Sequence, residues 1–353
     1  MAKPRFRALV LCAGFGTRLR PLTWALAKPL LPLAGEAVAG HTLRHLGQAG
    51  CEAAVVNLHH RRGDIPRSFG RSYRGLPIEY SDEEEILGTY GALAPRRALL
   101  EDCDAVVLIN GDSWCEWPIR KIVRQHVGRG ADVTLLLLPK SPEKALGGGI
   151  AVDGRGNVLQ MRDMEKRSGD ITGRFIFAGL HVISPRILKR IEARSGDILE
   201  SLYQPLLQEG ASLQTMKLSR GRRWHDLGTP GRYHAASIDV LRRSGLGGII
   251  DGLSGSRRSS LSTLSRVESG AKVGLSAVER GVHVGKGATV KGSVLLEGAQ
   301  IGAGCRIHSS IVGPDVRLPA SSEVERRMVT RLDKRHELRD DESVIGDLVY
   351  TPL

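Results

Sequence analysis

The sequence predicts an α/β fold, a Rossmann-like domain with a mostly parallel mixed sheet, followed by a short parallel β-helix built from hexapeptide repeats. Three observations lead to this prediction. Apolar runs of strand length alternate with segments of helical spacing up to about residue 240. A stretch rich in Gly, Ser and Arg, 244–262, then interrupts the alternation. Beyond it, aliphatic residues recur with a period near six.

The first part of the chain contains near-continuous apolar runs, which are typical of parallel strands covered on both faces. They occupy 7–11, 53–58, 105–109 and 133–138, with helical spacing between them at 41–49, 90–100 and 119–127. In open parallel sheets, ligands bind beyond the carboxyl ends of the strands. We therefore expect the glycine turn after the first run and Asn110-Gly111-Asp112 to face one crevice.

The last third of the chain carries the repeat. Its aliphatic positions are Val267, Val273, Val284, Val290, Leu296, Ile301, Ile307, Val312, Leu318 and Val324. Each short strand of a parallel β-helix points one such residue into a narrow core, so about three coils are expected. Some steps are five or eleven residues, which indicates irregular turns. Flat faces and exposed coil ends favour a homo-oligomer.

These patterns predict a catalytic domain at 1–243, a linker at 244–262, a β-helix at 263–326 and a charged tail at 327–353. No apolar stretch approaches the length of a transmembrane helix, and the start of the chain lacks the apolar core of a signal peptide. The five cysteines form no Cys-x-x-Cys pair and are expected to be free thiols in a reducing compartment. The expected location is therefore the cytoplasm, with no membrane partner.

The formal net charge of +13 raises the question of a nucleic-acid partner. The basic residues are scattered, however, and form no long basic run, aromatic-interleaved RNA motif or helix-turn-helix pattern. We expect no nucleic-acid partner. An arginine excess also suits an enzyme that handles polyanionic substrates.

The most specific motif follows the first apolar run. It reads Cys12-Ala13-Gly14-Phe15-Gly16-Thr17-Arg18-Leu19-Arg20-Pro21-Leu22-Thr23, and Lys28-Pro29 comes shortly after it. Glycines let backbone N–H groups approach phosphate oxygens, and cations neutralise the charge gathered there. The spacing fits neither a Walker A loop nor a dinucleotide fingerprint. It resembles the signature of the sugar-phosphate nucleotidyltransferases, Gly-x-Gly-Thr-Arg-Leu-x-Pro-Leu-Thr followed by Lys-Pro.

This resemblance implies an enzyme that makes an NDP-sugar and pyrophosphate from an NTP and a sugar 1-phosphate, with Mg²⁺. It also implies that the β-helix is left-handed, as in many members of the family. Arg18 and Lys28 match the family's phosphate-contacting catalytic residues. Asp112 and the aspartate of Trp224-His225-Asp226-Leu227-Gly228-Thr229-Pro230 match its catalytic Mg²⁺ ligands.

The resemblance further assigns the substrate contacts. Nucleotide binding is implied for Ala13, Gly14, Gly16, Thr17, Gly88 and Gly111, where Gly88 belongs to a Leu-Gly-Thr-x-Gly-Ala motif that lines the base pocket. Sugar-phosphate binding is implied for Gly148, Glu165, Lys166 and Gly179. The acidic run 83–85 is either a solvated face or supplies one acceptor for the base, and the sequence does not choose among its glutamates.

The motifs look most like those of mannose-1-phosphate guanylyltransferases, which predicts GTP and mannose 1-phosphate as substrates. Uridylyl, thymidylyl and adenylyl relatives share most of these residues, so those reactions stay open. A non-catalytic NDP-sugar-binding paralogue is a second alternative. A third is a bifunctional enzyme whose β-helix transfers an acetyl group, with His283 and His308 as candidates.

Overall fold

The computed structural model describes residues 3–139, 149–243 and 259–353. The chain divides into two compact units. The first consists of Met1–Gly14 and Ala39–Trp224, and the second of Phe15–Val38 and His225–Leu353. Most of the predicted linker, 244–258, lies outside the described residues.

The first unit is built on an eight-stranded sheet. In chain order its strands are β1 Phe6–Leu11, β2 Ala54–Leu58, β3 Ser72–Tyr73, β4 Leu76–Asp82, β5 Ala105–Asn110, β6 Val133–Leu137, β7 Phe177–Ile183 and β8 Leu213–Lys217. Their spatial order is β8-β6-β7-β5-β1-β2-β4-β3. Strand β1 is parallel to β2 and β5, whereas β7 is antiparallel to β5 and β6. The mixed, mostly parallel sheet predicted from the sequence is confirmed.

Helices and short strands complete the described chain. The α-helices are Leu22–Ala25, Val38–Ala49, Asp64–Phe69, Gly88–Gly91, Arg97–Glu101, Ile119–Arg129, Pro185–Leu188, Gln204–Gln208 and Pro230–Arg243. Single tighter or wider turns occur at Thr17–Leu19, Lys28–Leu30 and Leu199–Tyr203. Further strands are Pro32–Leu33, Glu36–Ala37, Ser113–Cys115, Ile150–Val152, Val158–Met161, Gly173–Phe175 and Trp224–Asp226. Among the described residues, none of the helices combines the length and apolar composition needed to cross a membrane.

Burial explains why these segments fold as they do. Every residue of β2 and β6 is buried, as expected for central strands covered on both faces. The helix Ile119–Arg129 buries Ile119, Ile122, Val123 and His126, which are spaced along one helical face. It ends at Gly130, which adopts the left-handed conformation typical of a helix C-cap.

The C-terminal part is a parallel β-helix with three faces. Its strands are Ser260–Leu261, Arg266–Val267, Lys272–Gly274, Ala277–Val278, His283–Val284, Thr289–Lys291, Val294–Leu295, Gln300–Ile301, Arg306–His308, Ile311–Val312, Arg317–Leu318 and Glu323–Glu325. They stack into three parallel sheets, one for each face. The described residues form four coils, so the expectation of about three was too low.

The length of each coil explains the irregular repeat. Along one face Leu261 pairs with Val278, Val278 with Leu295, and Leu295 with Val312, so each coil advances by 17 residues. Three steps of six would give 18, so one of the three steps is five. The inward residue at that short step is Leu295, which belongs to the β-helix core, rather than the neighbouring Leu296 expected from the sequence.

The predicted tail also has structure. Arg327–Arg331 extends one face of the β-helix by pairing in parallel with Ile311–Val312. Leu348–Pro352 then returns antiparallel to it, and Ser343–Ile345 pairs with the outer side of Leu348–Pro352. The charged segment therefore folds back onto the second unit.

Candidate active site

The first unit contains a cavity of about 270 Å³ at the carboxyl ends of β1, β2 and β5. Its lining residues are Leu11, Ala13, Gly14, Asn57, Glu83, Ile86, Gly88, Thr89, Asn110 and Asp112. The opening glycine turn and the residues after β5 therefore face one crevice, as the order of apolar runs predicted. This position is where open α/β sheets bind their ligands.

Two of the predicted nucleotide-binding glycines in this unit have different surroundings. A Cβ placed on Gly14 would meet no atom within 4 Å, so the cavity is open directly above this backbone. A Cβ on Gly111 would collide with the sulfur of Cys12, and Gly111 is not part of the lining. Gly14 thus leaves room for a ligand, whereas Gly111 lets the chain after β5 pack closely against the chain after β1.

The turn that carries Gly88 is held by contacts with a segment that is distant in the sequence. Gly88 has a φ of +72°, and a Cβ there would collide with the carbonyl oxygen of Gly196. The Tyr90 N–H donates to that same oxygen at 3.0 Å, and the Thr89 hydroxyl accepts from the Ile198 N–H at 2.8 Å. Only glycine can lie this close to the Gly196 carbonyl. Backbone contacts therefore determine the position of the cavity wall at Gly88.

A buried polar pair that the sequence did not single out forms another wall. Asn57 and Glu83 are only 3% and 2% exposed. Asn57 accepts the Cys12 N–H at 2.7 Å and donates to Glu83 at 2.8 Å, and the other Glu83 oxygen accepts the Leu87 N–H at 3.0 Å. Both carboxylate oxygens of Glu83 are thus engaged in fixing the cavity. The signal that could have found the pair is a polar residue inside the apolar run of β2.

The environment of Cys12 disfavours ionisation of this thiol. Burial, together with the negative charge of nearby Asp112, raises the pKa of Cys12 far above its ordinary value. A thiol must ionise to act as a nucleophile. None of the five cysteines forms a disulfide.

In the second unit, two distant motifs of the sequence meet. An ideal Cβ on Gly228 would lie 2.7 Å from Arg18 Nη2 and 2.9 Å from Asp226 Oδ1. The absence of a side chain at Gly228 therefore makes room for the Arg18 guanidinium beside the carboxylate. Asp226 also forms a salt bridge with Arg232.

The same unit fixes the remaining residues of the signature. A Cβ on Gly16 would lie 2.9 Å from the methyl group of Thr23 and 3.2 Å from Cβ of Lys28. The Thr23 hydroxyl donates to the Gly16 carbonyl at 3.0 Å. Lys28 is only 6% exposed, and Thr17 begins the short turn that carries Arg18. The signature segment is thus tightly packed at Gly16, Thr23 and Lys28, whereas Arg18 is exposed.

Residues of the C-terminal tail pack against this segment. The Trp24 ring lies 5.4 Å from the guanidinium of Arg20 and 5.2 Å from that of Arg335, and it meets His336 edge-on at 5.5 Å. Arg339 donates to the Arg20 carbonyl at 3.0 Å. Residues near the C-terminus therefore help to position the segment that contains Arg18.

The predicted sugar-phosphate residues are not gathered in the cavity. Gly148 lies outside the described residues. Glu165 and Lys166 are exposed and do not line the 270 Å³ cavity. Gly179 has a φ of +90° and packs against Asn110, since a Cβ there would lie 2.9 Å from the Asn110 amide nitrogen.

The two β-helix histidines each face a carboxylate. His283 Nε2 lies 3.0 Å from Glu268 Oε1, and His308 Nδ1 lies 3.6 Å from Glu325 Oε1. Both pairs join neighbouring coils, so these contacts give the histidines a structural role in the β-helix.

Comparison with known proteins decides the family. Residues 7–243 match the model of a family described as nucleotidyl transferase. The chain belongs to this family. Residues 251–341 of the nucleotidyl transferase match a second model, described as a GlmU-like C-terminal hexapeptide.

Several curated relatives are named as mannose-1-phosphate guanylyltransferases. The nucleotidyl transferase is 31% identical over 227 residues to the mannose-1-phosphate guanylyltransferase catalytic subunit beta of Xenopus tropicalis, covering 64% of this chain and 61% of the relative. It is 32% identical over 244 residues to the mannose-1-phosphate guanylyltransferase of Mycobacterium tuberculosis, covering 69% and 66%. The match thus spans about three fifths of the length of the first of these relatives.

Nucleotidyl transferases of this family generally use a divalent metal ion. Among residues 3–139, 149–243 and 259–353 there is no cluster of three or more His, Cys, Asp or Glu side chains able to hold a metal. That does not conflict with the family, because Mg²⁺ usually takes one or two carboxylates and completes its shell with water and phosphate oxygens. Asp112, on the cavity wall beside Asn110, offers suitable oxygen donors.

Proposed function

We propose that the chain transfers a nucleoside monophosphate from an NTP to a sugar 1-phosphate, with GTP and mannose 1-phosphate as substrates and GDP-mannose and pyrophosphate as products. The observation that carries this proposal is the cavity in which the open backbone at Gly14, the Gly88 turn and Asp112 come together. The choice of substrates is supported by the names of the relatives.

The reaction requires two polyanions to meet. An oxygen of the sugar phosphate attacks the α-phosphorus of the NTP, and the bond from that phosphorus to the pyrophosphate oxygen breaks. The protein forms no covalent bond in this step, so its contribution is positioning and neutralisation of charge. A bound Mg²⁺ supplies further positive charge to the phosphates.

Each motif residue has a proposed part in this chemistry. Arg18 and Lys28 neutralise charge on the NTP phosphates, and Asp112 and Asp226 hold Mg²⁺. The absence of a side chain at Gly228 supports a joint role, because the Arg18 guanidinium and the Asp226 carboxylate both lie against that position. Nearly complete burial of Lys28 supports a fixed position for its ammonium group.

The nucleotide and the sugar phosphate are assigned to separate groups of residues. Nucleotide binding is proposed at Ala13, Gly14, Gly16, Thr17, Gly88 and Gly111, with the strongest geometric support at Gly14 and Gly88. Sugar-phosphate binding is proposed at Gly148, Glu165, Lys166 and Gly179. The exposure of Glu165 and Lys166 fits residues that meet a ligand rather than the core.

Assembly and location complete the proposal. The β-helix packs one copy of the chain against another through its flat parallel faces, giving a homo-oligomer. The unbridged cysteines support a reducing compartment, the cytoplasm.

The deciding experiment is pyrophosphate release with Mg²⁺ across a grid of ATP, GTP, CTP, UTP and dTTP with several hexose 1-phosphates. We expect one dominant combination, GTP with mannose 1-phosphate. Another dominant combination would keep the reaction and replace the substrates. A blank grid combined with NDP-sugar binding would overturn the enzyme and identify a binding paralogue.

Removing the charge of the Asp112 carboxylate tests the proposed mechanism. Asp112→Asn should lower kcat by at least about 100-fold, since it removes charge that organises the phosphates. The matched control is Asp340→Asn, which removes the same charge from an exposed position in the tail and should leave kcat unchanged. A wild-type rate in Asp112→Asn would remove this residue from the metal site.

A further inference from the structure

We propose that Asn57 is a positioning residue for the reaction, whose side-chain amide sets the separation of the glycine turn after β1 and the Gly88 turn. This inference rests on the proposed function, because it concerns how the NTP is held between these turns. Asn57 belongs to none of the sequence motifs, lines the 270 Å³ cavity and is only 3% exposed. A buried polar side chain needs hydrogen-bond partners, so it constrains the groups around it.

The place of Asn57 follows from the register of the central strands. Asn57 of β2 pairs with Leu11 of β1 on one side and with Ser81 of β4 on the other. Each of these residues lies at or next to the carboxyl end of its strand. The amide of Asn57 is therefore located between the chain that leaves β1 and the chain that leaves β4.

The two ends of this amide serve two different turns. The Asn57 oxygen accepts the Cys12 N–H at 2.7 Å, where the glycine turn begins. The Asn57 nitrogen donates to one oxygen of Glu83 at 2.8 Å, and the other Glu83 oxygen accepts the Leu87 N–H at 3.0 Å, next to Gly88. Three hydrogen bonds through two buried side chains thus connect the two walls of the cavity.

The turn that Asn57 holds is also attached to the segment that carries Asp112. The Gly111 N–H donates to the Leu11 carbonyl at 2.9 Å, one residue before Cys12. A Cβ on Gly111 would collide with the Cys12 sulfur, so the two segments are in direct contact. A shift of the glycine turn would therefore act on the proposed metal ligand as well, and misplacement by about 1 Å can cost about 100-fold in rate.

An amide is the side chain that fits both contacts at position 57. The Cys12 N–H needs an acceptor, and the Glu83 carboxylate needs a donor. Aspartate would place a second carboxylate against the first, and leucine would leave both partners unpaired. Since Glu83 also lines the cavity, the alternative is that its carboxylate contacts the NTP directly. The two roles differ in whether the negative charge has to be on Glu83.

A reciprocal exchange separates positioning from direct contact. In Asn57→Asp combined with Glu83→Gln, the introduced carboxylate can accept both the Cys12 N–H and an N–H of the introduced amide. The oxygen of that amide can accept the Leu87 N–H. All three hydrogen bonds and the net charge are kept, while the carboxylate moves to the neighbouring residue. We expect the double variant to have a Kd for GTP, and a kcat, within about threefold of wild type.

The single variants lack this compensation. Asn57→Asp places two carboxylates side by side, and Glu83→Gln has one amide oxygen for two donors. We expect each to raise the Kd for GTP at least about tenfold, since a buried polar group is left unpaired. The KM for mannose 1-phosphate, whose proposed contacts are other residues, should change less. Glu83→Gln introduces no buried charge, so it provides the test in a protein whose fold is verified by circular dichroism.

Asn157 provides a matched control in the same unit. Its amide donates to the Asp153 carboxylate at 2.6 Å and accepts from Gln214 at 2.9 Å, which is the same arrangement of donor and acceptor. Asn157 is not part of the cavity lining. Asn157→Asp also places two carboxylates together, and it should leave the Kd for GTP and kcat unchanged. An equal effect of Asn157→Asp and Asn57→Asp on GTP binding would contradict the proposal.

Other results would also overturn the proposal. A folded double variant that binds GTP as weakly as Glu83→Gln would show that the nucleotide needs the carboxylate of Glu83 itself. Wild-type GTP binding in both single variants, or a loss of kcat that only follows the folded fraction, would leave Asn57 a purely structural role. The Kd is measured without turnover. A wild-type protein that binds GTP but makes no GDP-mannose would therefore overturn the proposed function and leave this test intact.

Discussion

At the scale of single residues, the candidate site depends on close approaches that only particular side chains permit. At Gly14 there is open space above the backbone, whereas Gly88 lies directly against the Gly196 carbonyl. Both carboxylate oxygens of Glu83 accept hydrogen bonds, one from the Asn57 side chain and the other from the Leu87 N–H. The acidic run at 83–85 therefore contains one structural glutamate and two exposed ones. The interpretation of this acidic run as a purely solvated face is wrong for Glu83.

The Gly88 contact predicts the effect of adding one methyl group. Gly130 also has a positive φ, +60°, in the left-handed region, but open space around its Cβ position. Gly130→Ala should cost about 1 kcal/mol from backbone strain alone. Gly88→Ala should cost about 1–3 kcal/mol more, because overpacking adds to the strain, and it should raise the KM for the NTP. Urea unfolding and steady-state kinetics measure both effects. Equal losses of stability in the two variants would show that the Gly196 contact has no energetic consequence.

At the scale of elements, the β-helix is organised by its 17-residue coil. Ser276, Ser293 and Ser310 are fully buried at equivalent positions of successive coils. Each hydroxyl donates to a carbonyl two residues earlier, and each accepts the N–H of the equivalent residue one coil later. The ladder satisfies backbone groups at the corner where the step is five residues, so it stabilises the shorter turn.

Removing one rung of this ladder should be costly. Ser293→Ala leaves the buried Ser310 N–H without its acceptor, which lies 3.1 Å away in the native protein. We expect a loss of about 1–3 kcal/mol in the free energy of unfolding. Ser322→Ala is the control, since that hydroxyl bonds to Pro319 at the surface and its loss should cost less than about 0.5 kcal/mol. Similar stability of the two variants in denaturant titrations would contradict a stabilising ladder.

At the scale of the whole molecule, the two ends of the sequence meet in the second unit. Tail residues hold Trp24 and the Arg20 carbonyl, and Glu342 organises the tail. The Glu342 side chain is fully buried and bonds to His336, Arg339 and Thr351. Burial by itself would raise the pKa of Glu342, but these donors outweigh it and lower the pKa to about 2.

The lowered pKa predicts a pH-dependent stability. Since the unfolded carboxyl has an ordinary pKa of 4.5, the ionised Glu342 contributes stability above that pH and loses it as the pH falls towards 2. Glu342→Gln should therefore be less stable than wild type from pH 5 to 7, and the difference should shrink below pH 4.5. Glu337→Gln, at an exposed position, should track wild type throughout. A difference independent of pH would mean that the loss is one of packing rather than charge.

Local patterns were enough to predict much of this protein. Buried parallel strands need continuous apolar runs, and a β-helix needs an inward aliphatic residue at nearly constant spacing, so both parts of the fold could be predicted. The convergence of Gly14 and Asp112 followed from the position of each at the end of an apolar run. The roles assigned to Arg18, Lys28 and Asp226 came from the resemblance and stay predictions.

The chain by itself thus determined the fold class, the family and the crevice at the ends of the strands, because these depend on patterns between neighbours in sequence. Tertiary structure decided which glutamate supports the cavity, why Gly88 must be glycine, how five-residue steps close a coil, and where the tail docks. Each of these depends on atoms that are distant in sequence, such as Gly88 and Gly196 or Trp24 and His336. Contacts of this kind exist only once the backbone has folded, since no local spacing encodes them.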